Sequence, residues 1–205
     1  MNAQSTVSRE ALPDARALGS ARTVWLTGLP SAGKTTVARA LAARLAAAGR
    51  PVEVLDGDEA RKVLTAGLGF SRAERDENVR RIGYVADLLS RNGVDVVCAV
   101  ISPFRDARDE VRARHLESTP ESPDRFVEVW VSTPVDVCAA RDVKGLYARQ
   151  RAGEISGLTG VDDPYEAPQT PELELRTDQL DLDECVDRIV AVLASCTTRR
   201  SSSST

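Results

Sequence analysis

The chain has 205 residues, of which 42% are hydrophobic and 28% are charged. This length supports one α/β domain with a full core and excludes two large domains. The formal net charge is −4 and no long run of Lys or Arg occurs, which argues against a nucleic-acid or membrane-binding surface and favours small-molecule chemistry.

Residues 1–20 predict a flexible N-terminal extension. Charged residues are spread through this segment, and it has no continuous apolar region of the kind found in secretory signals. Later apolar runs are too short to span a membrane. The folded domain is therefore expected to cover residues 21–196.

The segment Gly28–Thr36 carries the strongest motif of the chain. It follows an apolar run and precedes an alanine-rich helical pattern, which is the strand–loop–helix setting of a phosphate-binding P-loop. Backbone N–H groups of such a loop converge on phosphates, Lys34 supplies a charge, and the Thr35 hydroxyl lies where Mg²⁺ needs a ligand. The predicted ATP-site residues of this loop are Gly28, Leu29, Pro30, Ser31, Ala32, Gly33, Lys34, Thr35 and Thr36.

Strand and helix spacing then alternate along the chain. The pattern predicts strands at 52–56, 94–101, 126–131 and 173–175, and helices from the P-loop to Gly49 and at 75–90, 106–116, 135–141 and 182–194. This order predicts an α/β fold of the P-loop kinase type, with a parallel β-sheet flanked by helices on both faces. Ligands of such folds bind at the carboxyl ends of the strands.

Two segments depart from this alternation. The segment 144–171 is rich in Gly, Pro and charge and is too long for an ordinary connection, so it is a candidate active-site lid. The tail 197–205 ends in a serine run and is predicted to be disordered.

Two carboxylates follow the second predicted strand. Residues two apart on an extended chain point the same way, so Asp56 and Asp58 are both expected to face the phosphate site. A carboxylate there can accept a hydroxyl proton or hold Mg²⁺ through water. The alternative is that Asp58 caps the helix beginning near Glu59.

The cysteines and the histidine give no sign of a metal site. The four cysteines lack the spacing of metal ligands, and Cys98 and Cys138 fit small core residues, which favours a reducing cytoplasm. The lone His115 lies in a charged helical pattern and is predicted to be a surface residue without a catalytic role.

Several short strings outside the P-loop belong to one kinase family. They are LDGD at 55–58, LGFS at 68–71, ENVRRIG at 77–83, ISPFR at 101–105, RDVKGLY at 141–147, RAGEI at 151–155 and TGVDDPYEAP at 159–168. Through them the chain, from about residue 23 to 193, resembles the adenylyl-sulfate kinases. These enzymes use ATP to phosphorylate the 3′-hydroxyl of adenosine 5′-phosphosulfate (APS), giving 3′-phosphoadenosine 5′-phosphosulfate (PAPS) and ADP in sulfate activation.

The resemblance implies a role for each matching position. Asp58 is the carboxylate nearest the 3′-hydroxyl, Lys144 approaches phosphate oxygens from the lid, and Arg141 packs on the ATP base. Phe70 stacks on the APS adenine. The implied catalytic residues are Asp58, Lys34, Ser102 and Lys144, and the implied APS-binding residues are Asp56, Gly57, Asp58, Arg61, Phe70, Arg75, Asn78, Ile101, Ser102, Lys144, Gly157 and Leu158.

The role of Ser102 has two interpretations. An older proposal for the family makes the serine corresponding to Ser102 a phosphorylated intermediate. Direct in-line transfer is favoured, because a P-loop with Mg²⁺ already positions and neutralises the phosphoryl group. The expected ion is Mg²⁺ with ATP as the donor, held by Thr35 and, through water, by Asp56 or Asp58.

Two positions depart from the family pattern. Leu158 stands where an aromatic residue usually precedes Thr-Gly, and Glu59 stands where Asn is common. They leave two alternatives open: a small-molecule kinase for a related acceptor, and a homologue that binds APS or PAPS without turnover. A GTPase is disfavoured because no N-K-x-D guanine-reading motif occurs.

The resemblance also implies partners. ATP and APS are the expected ligands, a second copy of the chain completes a homodimer, and a separate ATP sulfurylase supplies APS. Neither nucleic acid nor membrane is an expected partner.

Overall fold

The computed structural model describes Ala15 and residues 18–201, with side chains up to residue 196. The predictions made for residues 1–14, 16, 17 and 202–205 lie outside this part. The strands are β1 (Thr23–Gly28), β2 (Val52–Asp56), β3 (Asp95–Ala99), β4 (Phe126–Val131) and β5 (Leu173–Leu175). The helices are α1 (Lys34–Ala47), α2 (Gly57–Lys62), α3 (Arg72–Arg91), α4 (Arg105–Ser118), α5 (Val135–Arg141), α6 (Leu146–Arg151) and α7 (Leu182–Ser201).

The five strands form one parallel sheet in the order β2-β3-β1-β4-β5. β1 lies at the centre and is buried along its whole length, so the P-loop that follows it emerges at the middle of the sheet's carboxyl edge. The predicted fold class is confirmed. The helix considered near Glu59 is α2, which begins at Gly57; α6 was not predicted, and α7 runs past residue 194 to Ser201.

Apolar side chains cover both faces of the sheet, as expected for parallel strands. Alternate residues of β1 point to opposite faces: Leu26 joins the core under α1 and α7, and Trp25 joins the core under α3 and α4. At Gly83 the α3 and α4 backbones come so close that an added Cβ would lie 2.4 Å from Val111 Cγ2. Only glycine fits there.

The prediction that His115 lies on the surface is wrong. Its side chain is 1% exposed, and its ring nitrogens contact Thr23 Oγ1 at 2.9 Å and the Val111 carbonyl oxygen at 2.8 Å. Burial lowers the pKa of this imidazole, so the neutral form is favoured. His115 is a hydrogen-bonded core residue.

The four cysteines are free, and Cys98, Cys138 and Cys185 are buried, as predicted for the first two. Within the described part of the chain, no helix combines the length and apolarity needed to cross a bilayer.

Candidate active site

The P-loop joins the end of β1 to the start of α1. Gly33 caps α1 in the left-handed conformation with φ 101°, no side chain caps the helix, and its first turn contains no acidic residue. The first backbone amides of α1 are therefore left without side-chain acceptors. A helix N-terminus of this kind attracts anions such as phosphate.

Lys34 folds back over the loop. Its ammonium donates to the carbonyl oxygens of Gly28 at 2.9 Å and Leu29 at 2.8 Å. Burial lowers its pKa to about 8, against smaller opposing effects from charges that include Asp58 and Asp56. A desolvated ammonium with two neutral acceptors gains strongly from an anion that replaces them.

Asp56 connects the P-loop helix to α2. The Thr35 hydroxyl donates to Asp56 Oδ2 at 2.7 Å, and the Asp58 backbone N–H donates to Asp56 Oδ1 at 2.9 Å. Burial alone would raise the pKa of Asp56, but these hydrogen bonds outweigh it and hold the pKa below its usual value. Asp56 is thus held as an ionised carboxylate beside Thr35.

The extended-chain argument for Asp58 is wrong, because α2 begins at Gly57. Asp58 lies in the first turn of that helix, and the N-cap is Asp56, not Asp58. Asp58 nevertheless faces the site, since its carboxylate forms an ion pair with Lys144 Nζ. The side chains of both residues are more than half exposed, at 57% and 55%. The lid entrance and the β2 edge therefore meet at these two charges.

An aromatic and cationic cluster lies beyond α2. The guanidinium carbon of Arg61 is 4.5 Å from the centroid of the Phe70 ring, and that of Arg75 is 5.8 Å away. Phe70 is 67% exposed. Burial, followed by the charge of Arg75, lowers the pKa of Arg61. This cluster offers an open ring face with two cations for an anionic aromatic ligand.

Arg75 is also the main tie between α3 and the lid segment. It donates to the Phe70 carbonyl at 2.6 Å, to Thr159 Oγ1 at 2.6 Å and to the Gly157 carbonyl at 2.7 Å, and it lies 3.1 Å from Asp163. Its guanidinium is therefore occupied by protein groups in this structure. A phosphosulfate that bound Arg75 would have to replace some of them.

Asn78 is likewise engaged within the protein. It is 5% exposed, and its Oδ1 accepts a hydrogen bond from Thr65 Oγ1 at 2.8 Å. Of the residues expected to bind the acceptor, Phe70 is exposed, Arg61 is half-buried and donates to the Leu68 and Gly69 carbonyls, and Asn78 and Arg75 are buried.

Ser102 differs from the expectation that it lines the acceptor pocket with its hydroxyl. It is 1% exposed, with φ 41°, and its Oγ accepts from Trp25 Nε1 and donates to Thr27 Oγ1, both at 3.0 Å. Packing of the β3 end against the central strand turns this side chain inward. Ile101, beside it, is half-buried, and its carbonyl accepts from Thr27 Oγ1 at 2.8 Å.

The lid segment approaches the P-loop on its other side. An open depression of about 540 Å³ is lined by Leu29 and by lid residues 160–165. The phenol of Tyr147, on α6, donates to the Pro30 carbonyl at 3.0 Å. The lid segment is thus attached to the P-loop backbone as well as to α3.

Comparison with known proteins now decides the family. The sequence model of the adenylylsulphate kinase family matches residues 20–176. The chain belongs to the adenylyl-sulfate kinase family. The family resemblance predicted from the short strings is therefore confirmed.

Two adenylyl-sulfate kinases show how much of the chain is shared. That of Picosynechococcus sp. is 56% identical over 171 residues, which cover 83% of this chain and 92% of the relative. That of Rippkaea orientalis is 56% identical over 167 residues, with coverages of 82% and 88%. The structure of the Mycobacterium tuberculosis APS kinase CysC in complex with AMPPNP and APS matches with a TM-score of 0.79 at 42% identity, covering 85% of this chain and 98% of that one.

The two departures from the adenylyl-sulfate kinase pattern have different structural settings. Glu59 turns outward, with its side chain 66% exposed, and pairs with Lys62 at 2.7 Å. Leu158, expected to cover a base, is only 6% exposed and belongs to the core under α1 and α7. The APS-binding role that the resemblance implies for Leu158 stays a prediction.

Two residues beside the P-loop were not identified from the sequence. Thr133 and Thr177 each follow a strand, β4 and β5, by two residues, and their hydroxyl oxygens lie 3.2 and 2.8 Å from the Ala32 carbonyl oxygen of the P-loop. The rule that ligands bind at strand carboxyl ends would have pointed to both. Arg141 lies beside them and binds Thr177.

Proposed function

We infer that the chain catalyses the reaction of its family, in which ATP phosphorylates APS to PAPS. One observation carries this conclusion: Asp58, Lys144, Lys34 and the Thr35–Asp56 pair converge at one edge of the sheet. A carboxylate, two lysines and a phosphate-binding loop are the groups that phosphoryl transfer to a hydroxyl requires.

The P-loop is proposed as the donor site. The triphosphate of ATP binds the amides at the start of α1, and Lys34 leaves its two carbonyl partners for phosphate oxygens. The Pro30 and Ala32 carbonyls are held by Tyr147 and by two threonines, which keeps the loop in shape while Lys34 moves. Arg141 is proposed to lie against the base.

The residues around Thr35 fit Mg²⁺. The Thr35 hydroxyl and the Asp56 carboxylate, 2.7 Å apart, are the hard oxygen donors that this ion prefers. Mg²⁺ in kinases is held by few protein ligands together with phosphates and water, and when bound it neutralises phosphate charge. Asp58 is near enough in sequence and position to contribute through water.

Asp58 is proposed to accept the proton of the acceptor. The 3′-oxygen of APS bonds to the γ-phosphorus as the bond between that phosphorus and the bridging oxygen of ADP breaks, and the 3′-hydroxyl proton passes to Asp58. Lys144 exchanges Asp58 for the phosphate oxygens as they gain charge. Ser102 takes no covalent part, because its hydroxyl is buried and hydrogen-bonded on both sides.

The cluster of Arg61 and Phe70 is proposed to receive the adenine and phosphosulfate of APS. The open ring face suits a purine, and guanidinium groups suit phosphate and sulfate oxygens. Arg75 and Asn78 complete the contacts once they exchange protein partners for the ligand. Ile101, Gly157 and the lid close the pocket against water.

ADP release from Mg-ATP tests this proposal. Turnover is expected with APS and not with adenosine 5′-monophosphate or simple sugars, and it is expected to disappear in Asp58→Ala. Glu59→Gln, a change at the neighbouring exposed carboxylate, is the matched control and should retain turnover. Tight APS binding without turnover, or activity on another acceptor in the panel, would contradict the proposal.

A further inference from the structure

The carboxyl end of β5 carries a hydroxyl that links two parts of the nucleotide site. Thr177 Oγ1 lies 2.8 Å from Arg141 Nη1, 2.8 Å from Thr133 Oγ1 and 2.8 Å from the Ala32 carbonyl oxygen. A hydroxyl has one proton to donate and two sites to accept. The Thr177 proton goes either to the Ala32 carbonyl oxygen or to Thr133 Oγ1, and in both arrangements the Thr177 oxygen accepts from Arg141 Nη1.

Thr177 holds Arg141 by two bonds. Nη1 donates to its hydroxyl and Nη2 to its carbonyl oxygen, each at 2.8 Å. Arg141 is exposed, and a long exposed side chain otherwise samples many rotamers. Two parallel hydrogen bonds fix the plane of the guanidinium and leave its faces open.

Thr177 also contacts the P-loop backbone by packing. A Cβ placed on Gly33 would lie 3.2 Å from Thr177 Cγ2 and 3.2 Å from its Oγ1. The side chain therefore touches the glycine that begins α1 on one side and Arg141 on the other. The distance between the phosphate-binding amides and the guanidinium plane is set by this one residue.

We propose that Thr177 is a positioning residue for the nucleotide base. Its hydroxyl fixes the Arg141 guanidinium relative to the P-loop, so that a purine bound through its phosphates meets a cationic face already in place. Preorganisation of this kind reduces the entropy lost on binding, and a guanidinium stacks well on an aromatic ring. The inference rests on the proposed function in taking an adenine nucleotide as the ligand and in placing Arg141 against its base; it does not depend on APS.

Thr177→Val is the informative variant because it preserves shape and removes the hydroxyl. One hydrogen bond to a charged group corresponds to about a tenfold change in affinity or somewhat more, so ADP binding is expected to weaken by about tenfold. Thr177→Ser keeps the hydroxyl and is expected to bind ADP within about twofold of the unchanged chain. Inorganic tripolyphosphate, which has no base, is expected to bind all three proteins alike.

Calorimetric titration of ADP and tripolyphosphate into the full chain measures these effects, with Arg141→Ala and the double variant completing a cycle. In the Arg141→Ala background, Thr177→Val is expected to cause little further loss of ADP affinity. KM for ATP should rise in Thr177→Val while KM for APS stays constant. Thr177→Ala also removes the hydroxyl and tests the same loss of ADP affinity with a smaller side chain, in case valine disturbs the loop.

Three results would overturn the inference. The first is an unchanged ADP affinity in Thr177→Val, and the second is an equal loss of tripolyphosphate affinity in that variant. The third is the same loss of ADP affinity when Thr177→Val is made in the Arg141→Ala background. Since ADP titration needs no acceptor, it also separates this inference from the proposed function. A chain that binds ADP and shows the cycle but does not turn over APS would refute only the latter.

Discussion

The proposed nucleotide half of the site is centred on one short stretch, residues 28–36, whereas the proposed acceptor half draws on segments from 56 to 165. Lys34, Thr133, Tyr147 and Thr177 hold the carbonyls of the P-loop by hydrogen bonds of 2.8 to 3.2 Å. The acceptor half is joined by the exposed Asp58–Lys144 pair and by Arg75. In the nucleotide half only Lys34 would have to exchange its partners on binding, whereas the acceptor half would have to exchange the contacts of both Arg75 and Lys144.

Removing the proton acceptor should break the acceptor half most severely. Asp58→Asn keeps the size of the side chain but takes away the base, so kcat is expected to fall by about 10³-fold, within the usual range for general-base catalysis. The initial rate of ADP release with APS measures it. ADP affinity should stay constant, because Asp58 is not in the P-loop; a parallel loss of ADP binding would contradict the separation of the two halves.

Removing the P-loop charge should break the nucleotide half. Lys34→Met retains a chain of similar length without the ammonium, and kcat/KM for ATP is expected to fall by about 10²–10³-fold, as for other preorganised groups that stabilise charge. Circular dichroism checks that the fold persists. Near-normal turnover in this variant would show that Lys34 does not reach the phosphates.

The link between α3 and the lid is the next target. Arg75→Met removes the bonds to Gly157 and Thr159, so KM for APS is expected to rise by about tenfold or more and protease cleavage within 144–171 to accelerate. Limited proteolysis followed by mass spectrometry locates the cuts. Unchanged cleavage would mean that other contacts hold the lid.

The pH dependence of ADP binding sharpens the comparison on the nucleotide side. Lys34 has a pKa of about 8 in the folded chain against 10.5 as the ordinary value. Bound phosphates favour its charged form, so binding takes up a proton in this window and ADP affinity should fall above pH 8, by at most about tenfold per pH unit. Titration at pH 7.5, 8.5 and 9.5 tests this.

The titration of Lys34 also determines how the free energy of unfolding changes with pH. Between pH 8 and 10.5 the unfolded chain binds more protons at Lys34 than the folded one does, so the contribution of Lys34 to the free energy of unfolding rises with pH. Lys34→Met should lack both this rise and the proton uptake. Affinity that is independent of pH up to 9.5 in the unchanged chain would contradict the low pKa.

The smallest effect is expected at the lid. Leu158→Phe restores an aromatic ring, which is expected to lower KM for APS by about two- to tenfold if the ring reaches the base. Because Leu158 is buried, the larger side chain must leave the core to do so. The measurements are the KM for APS and the inhibition by excess APS. If neither changes, the hypothesis that an aromatic ring at position 158 strengthens APS binding is contradicted.

The sequence predicted the nucleotide half better than the acceptor half for a physical reason. A P-loop is contiguous, so its spacing alone defines it, and the alternation of strands and helices places it at the sheet edge. The inward turn of Ser102 and the burial of Leu158 depend on packing between distant segments, which no local pattern encodes. Asp58 reached the site by a different route from the one predicted, because Gly57 starts a helix.

Two further residues, His115 and Thr177, could have been placed correctly from the sequence. Ala107, Val111 and His115 are spaced four apart, and all three are buried on one face of α4. The charged residues around His115 concealed that stripe. Thr177 was detectable only by asking which polar groups follow each strand.

The hydrogen bond between Trp25 and Ser102 makes the fluorescence of Trp25 sensitive to the position of Ser102. The indole is fully buried in the central strand β1. Its N–H donates a hydrogen bond to Ser102, which lies beside the proposed acceptor pocket. Any acceptor that shifts the turn at Ser102 will alter the surroundings of this indole, and with them its fluorescence. We expect such an acceptor to change the tryptophan fluorescence of the chain, to which Trp130 also contributes.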